Sequence, residues 1–221
     1  MNRRNFLSTS FAAGAAALAS TTAKAADKKS VRILGVSCSP RKGKTTATAV
    51  QAALDAAKEV DPRIEVELID LGGMQIAGSS GTSSQPSDDF DKILPALKDP
   101  VPDGLIIGSP SYFRTMSALC KAFLERLAAL RSPKLLLADK AVGVLAVGAY
   151  RNGGQELVIE QIQAAMLCHE VIIVGGKPGA HQGATLWNAF NDDITKDEFG
   201  MATAKQLGVR VAEAALRMSP S

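Results

Sequence analysis

Cysteine is scarce in this chain of 221 residues: Cys38, Cys120 and Cys168, at no metal-like spacing. So sparse and odd a set argues against a disulfide framework and against a zinc or iron–sulfur site, although two of the three could still pair in an oxidising compartment. Aromatic residues number only ten, so two side by side in a turn stand out. No apolar run reaches the roughly 20 residues that a membrane-spanning helix needs. The dinucleotide fingerprint G-x-G-x-x-G is missing from the first loop, which excludes a Rossmann-type NAD site there. There is no internal repeat and no domain linker. What remains, 46% apolar and 21% charged residues, suits one folded α/β domain and not comfortably two.

The first 25 residues read separately from the rest. Arg3-Arg4-Asn5-Phe6-Leu7 precedes a mildly apolar stretch from Phe11 to Ala19, and Ala23-Lys24-Ala25 closes it. That is the n-region, h-region and A-x-A site of a cleaved leader, of the twin-arginine type that exports folded proteins. The expected organisation is residues 1–25 as leader, 26–221 as the mature domain, and a periplasmic or otherwise exported location. Three of the 25 basic residues lie in the leader and none of the 22 acidic ones, leaving 22 of each. The apparent basicity therefore belongs to the leader, and nucleic-acid binding is not expected.

In the mature chain, apolar runs at 31–36, 64–69, 104–108, 141–147 and 171–174 alternate with helical patterns at 45–60, 88–97, 116–130, 155–167 and 199–216. Short strands rich in Val, Ile and Leu are buried on both faces, which implies a parallel sheet covered by helices on each side. Residues 71–87, rich in Gly and Ser, read as a loop. Such sheets bind ligands at the carboxyl ends of their strands.

Three loops stand at those ends. Ser37 to Thr46 holds four hydroxyls and three cations in ten residues, more than helix capping needs, and opens a helix where a phosphate is favoured. Gly43-Lys44-Thr45 also ends like a P-loop, but Cys38 stands where that motif has its first glycine, so a nucleotide triphosphatase is a distant alternative. Gly108 to Ser117 carries the adjacent pair Tyr112 and Phe113, suited to stacking on a ligand, with Phe113 as readily packed back on the sheet. Gly148 to Glu156 is glycine-rich and lets backbone approach a flat ligand. A phosphorylated planar molecule suits all three loops together.

At these loops the sequence resembles the NAD(P)H-dependent FMN reductases of the flavodoxin-like superfamily, nearest their iron–sulfur flavoprotein branch. The segments 32–46 (RILGVSCSPRKGKTT), 105–127 (LIIGSPSYFRTMSALCKAFLERL) and 147–156 (VGAYRNGGQE) carry the likeness, supported by 197–213. It implies a three-layer sandwich whose five parallel strands run in the order 2-1-3-4-5. It further implies FMN as cofactor and NADH or NADPH as electron donor. The remaining implications are a small-molecule acceptor such as a quinone or flavin, and a homo-oligomer. Ser39, Arg41, Lys44, Thr45 and Thr46 would hold the FMN phosphate. Pro110, Ser111, Tyr112, Phe113, Thr115 and Met116 would lie along the ring system, with Tyr150, Arg151, Gly153 and Gly154 closing the other side. No dedicated catalytic acid or base is implied, since the flavin performs the redox step. Iron–sulfur relatives carry a cysteine cluster after the second strand, whereas residues 76–84 here contain no cysteine, so no cluster can form there.

Two other readings stay open at this point. One is a flavodoxin-type electron carrier fed by a partner protein, although carriers of this fold tend to be acidic. The other is a binding module without cofactor. His169 and His181 read as capping or surface residues, Cys120 and Cys168 as core, and Trp187 as either loop packing or a flavin shield.

Overall fold

The computed structural model describes residues 29–81, 85 and 87–219; the leader expected at residues 1–25 lies outside them. Strand β1 (Val31–Ser37) is buried along nearly its whole length. It pairs in parallel with β2 (Ile64–Asp70) on one side and with β3 (Gly104–Tyr112) on the other. The next strand is β5 (Ala141–Gly148), every residue of which is buried. It runs parallel to β3 from Gly104 opposite Ala141 to Pro110 opposite Val147.

The sheet has seven strands, not five, and both extra pieces have a physical reason. β4 (Thr115–Met116) folds back antiparallel on the end of β3. The two residues between them, Phe113 and Arg114, have φ of 51° and 63°, the geometry of a type I′ hairpin turn that glycine or asparagine usually takes. The fifth position is split: β6 (Ile172–Ile173) pairs with Ala141–Val142, and β7 (Ala184–Trp187) with Leu145–Gly148. Between them the chain makes a glycine- and proline-bearing excursion, closed by the Gly176 amide on the Ala180 carbonyl at 2.7 Å. The order along the sheet is β2-β1-β3-β5, then β6 and β7, which is the expected 2-1-3-4-5 with its last strand interrupted.

Helices α1 (Thr45–Lys58) and α5 (Glu198–Met218) cover one face, and the packing there includes Leu54, Leu207 and Val211. Helices α2 (Phe90–Lys98), α3 (Ala118–Arg126) and α4 (Gln155–Leu167) cover the other, around Phe90, Phe123 and Ile162. The expected three-layer sandwich is therefore present. α3 starts two residues later than the apolar pattern suggests, because Ser117 caps it by accepting the Cys120 N–H at 3.0 Å. Arg126 is buried against Asp88 at 2.5 Å and stacks 4.8 Å above Phe90, pinning the loop after β2 onto α3. Among the described residues no helix is long and apolar enough to cross a membrane.

Two side chains depart from their sequence reading. Cys168, at the end of α4, is exposed, while His169 beside it is buried, with no hydrogen-bond partner for Nδ1. Burial, helped by the charge of Arg131, lowers the His169 pKa. Its unfolded pKa is near 6.5, so the neutral form is the one that folding favours. The contribution is complete above that value and is lost as pH falls from it through the lower folded pKa. Thermal melts at pH 7 and pH 5 should show the wild type losing more stability on acidification than His169→Gln; equal losses would contradict this.

Candidate functional site

The strand order reverses direction between β1 and β3, and their following loops splay apart at the carboxyl edge, the usual crevice of such sheets. The first loop is held from below. Asp70, at the end of β2, accepts the Gly43 N–H at 2.6 Å and the Gly72 N–H at 3.1 Å. Gly43 has a φ of 66°, which its lack of a side chain permits. Asp70 is thus committed to bracing this loop. Ser39 is buried, and its hydroxyl accepts the Arg41 N–H at 3.2 Å. α1 then starts at Thr45 with no side chain capping its first amides and no acid in its first turn, leaving its positive end to attract an anion.

The second loop is tied to the first and third. Ser117 donates to the Cys38 carbonyl at 2.6 Å, and its own N–H reaches Ser109 Oγ at 3.1 Å. Ser111 donates to the Gly153 carbonyl at 2.7 Å. In the third loop Gln155 donates to the carbonyls of Tyr150, at 2.5 Å, and Leu186, at 3.0 Å. That bond fastens the loop to β7.

These ties shape a cleft of about 230 Å³ lined by Arg41, Thr45, Pro110, Ser111, Tyr112, Val147, Gly148, Ala149, Asn188, Phe190 and Asp192. Five of the residues named from the sequence line it directly. Lys44 reaches its edge through Asp192, which bridges Arg41 Nη1 at 2.5 Å and Lys44 Nζ at 3.1 Å. Hydrogen bonds from Lys44 and then Arg41 hold the Asp192 carboxyl below its usual range. Tyr150 stands at the mouth, its ring edge-on to Phe190 with centroids 4.8 Å apart.

Other named residues do not line the cleft. Thr46 is buried beneath the first loop, toward Gly108. Thr115 donates to Gln161 of α4 at 2.6 Å, and Met116 packs against the apolar core. Arg151 lies 5.0 Å over the Trp187 ring, so Trp187 is occupied by the third loop. Gly154 backs onto Arg114. Phe113 is fully exposed at the tip of its hairpin. Cys38 is buried next to Cys120, and burial first of all pushes its thiol pKa up, which leaves it unreactive. Asn188, Phe190 and Asp192 are wall residues that the sequence did not reveal. They follow β7, a strand too short to announce itself, and their only local signal is the acidic pair Asp192-Asp193.

Residues 31–185 match the family model described as NADPH-dependent FMN reductase. The chain belongs to this family. An iron-sulfur flavoprotein of Methanocaldococcus jannaschii is 38% identical over 191 residues, covering 83% of this chain and 96% of its own. Another, from Methanosarcina thermophila, is 32% identical over 184 residues, covering 80% and 93%. The flavodoxin, WrbA-like protein from Agrobacterium tumefaciens has the same fold, with a TM-score of 0.58 at 18% identity over 87% of this chain and all of that one.

This FMN reductase family member is therefore a flavin oxidoreductase, with FMN as cofactor and NAD(P)H as electron donor. The donor set of its cleft suits the cofactor's phosphate. At one end two cations already hold an anionic group, the Asp192 carboxylate, beside the uncapped start of α1. Pro110, Tyr112, Val147, Gly148 and Ala149 line the same cleft. When bound there, FMN supplies the two-electron chemistry, and the chain supplies position and charge.

Proposed function

We propose that this reductase is exported with its flavin already in place and passes electrons from NAD(P)H through FMN to a small acceptor, of which a quinone is the leading class. One observation carries the reading: a cation pair, an uncapped helix start and an aromatic wall meet in a single cleft at the sheet's switch point. In this reading Arg41, Lys44 and the first amides of α1 hold the phosphate, while Ser39 orders the loop beneath it. Pro110, Ser111 and Tyr112 support the ring system, and Tyr150 guards its open side. The tie from Ser111 to Gly153 keeps the two ring-side loops at a fixed spacing. No side chain is asked to move a proton from carbon. With no cysteine among residues 71–87, the flavin is the redox centre.

Export is supported by the Arg-Arg-Asn-Phe-Leu run at 3–7. A protein that leaves the cytoplasm folded can take its FMN with it. The test is anaerobic mixing of the folded protein with NADPH or NADH, followed by a soluble quinone. The flavin should bleach within the mixing experiment and return to the oxidised form when quinone is added. A flavin that stays oxidised until dithionite is added would replace this reading with a carrier fed by a partner protein.

A further inference from the structure

Asp192 sits where the phosphate of the proposed cofactor has its strongest partners. Its Oδ1 is 2.5 Å from Arg41 Nη1 and its Oδ2 3.1 Å from Lys44 Nζ. One carboxylate thereby uses both cations of the first loop. A phosphate dianion drawn to the same cations meets that carboxylate as a like charge in competition for the same donors.

The segment bearing Asp192 is anchored at both ends, and its middle is held mainly by local bonds. At one end Asn188 donates its N–H to the Gly148 carbonyl at 3.0 Å; at the other, Ile194 is buried in the core. Between them Ala189 and Phe190 take φ of 49° and 61° without the freedom of glycine. Such conformations carry strain and persist only where the surrounding structure holds them. Phe190 is largely exposed, and its ring contact is the edge-on one with Tyr150. Apart from the local bonds of the Phe190 N–H to Asn188 Oδ1 and of Thr195 to the Asp193 carboxylate, the side-chain polar ties of 189–193 among the described residues are the two ion pairs of Asp192. All three residues of those pairs are about half exposed, the kind of pair that is cheap to break.

We propose that Asp192 is an internal rival of the FMN phosphate: its carboxylate occupies Arg41 and Lys44 until the phosphate displaces it, so this residue sets how tightly the chain distinguishes phosphorylated from unphosphorylated flavin. The inference rests on the FMN reading above and adds to it a specificity-determining residue. The competitor acts only against ligands that carry the phosphate. Riboflavin, which lacks it, leaves the Asp192 pairs intact.

The experiment is equilibrium titration of flavin-stripped protein, wild type and Asp192→Asn, with FMN and with riboflavin, followed by flavin fluorescence at one ionic strength. The substitution keeps the side chain's shape and removes its charge. Two exposed ion pairs of ordinary strength correspond to a roughly fivefold tighter Kd for FMN in the variant, with riboflavin unchanged. FMN binding that is equal or weaker in Asp192→Asn overturns the proposal; weaker binding would make Asp192 a counter-charge that orients the two cations. Equal tightening for both flavins also overturns it, since a loosened segment would then be the cause. If both proteins bind riboflavin and FMN alike, the phosphate reading of the first loop fails. If neither flavin binds to either protein, the FMN reading fails and takes the rivalry with it.

Discussion

Replacing Arg41 and Lys44 together by Ala should weaken FMN binding by about a hundredfold and leave riboflavin binding within about twofold. A charge-assisted hydrogen bond to phosphate is worth about 1.5 to 3 kcal/mol. Two such partners lost at the lower figure make about 3 kcal/mol, which is about two decades in Kd. The difference between the two flavins is the informative part. Both residues are surface cations whose own pairs end on Asp192, and the loop's shape rests on other bonds: Asp70 to Gly43, and Ser39 to the Arg41 amide. Removing the two charges should therefore spare the fold. Equal loss of both flavins would mean that the loop had collapsed. No loss of either would mean that the phosphate lies elsewhere.

Gly208→Ala should destabilise the protein by about 3 kcal/mol, against the expectation from helix propensity. Gly208 lies within α5, where alanine would ordinarily gain about 1 kcal/mol. Here α5 crosses α1 so closely that a Cβ at 208 would stand 1.9 Å from the Ala53 carbonyl oxygen and 2.6 Å from its carbon. The obstacle is backbone, which cannot rotate away, so the two helices must separate. Overpacking of this kind costs about 1 to 3 kcal/mol, sometimes more, and the stiffness of a backbone clash puts it at the upper end. Because the phosphate loop runs into the start of α1, the variant should lose FMN affinity as well as stability. Urea unfolding gives the stability change directly. A variant as stable as the wild type, or more so, would show that α1 and α5 do not meet this closely.

Much of the fold was legible because the central strands are buried on both faces and so read as unbroken apolar runs. β1, β3 and β5 belong to this kind, and α4 has the bounds its periodicity gave. The misses have separate causes. The hairpin at Phe113-Arg114 adopts positive φ without glycine or asparagine, so no turn residue marks it. β7 is four residues with Thr185 among them, too short for a pattern to emerge. The sequence suggests a capping or surface role for His169 and a core position for Cys168, whereas His169 is buried and Cys168 exposed. A helix end does not say which of two neighbours turns inward.

The cleft divides along the same line. Arg41, Thr45, Pro110, Ser111 and Tyr112 lie in loops that directly follow strands, where strand order alone forecasts a binding edge. Asp192 reaches the same place from 151 residues away in sequence, and nothing local to it indicates that partner. Thr46, Thr115 and Met116 lie in the right segments but turn into the fold or onto a neighbouring helix. Loop position was readable; side-chain direction required the packing.

The central claim is that the chain carries FMN in this cleft, and the most direct measurement is the flavin content of the protein purified in folded form. The account predicts a yellow protein that releases about one FMN per chain on acid precipitation, identified by its phosphate against riboflavin and FAD standards. A colourless protein that also fails to take up added FMN would contradict it.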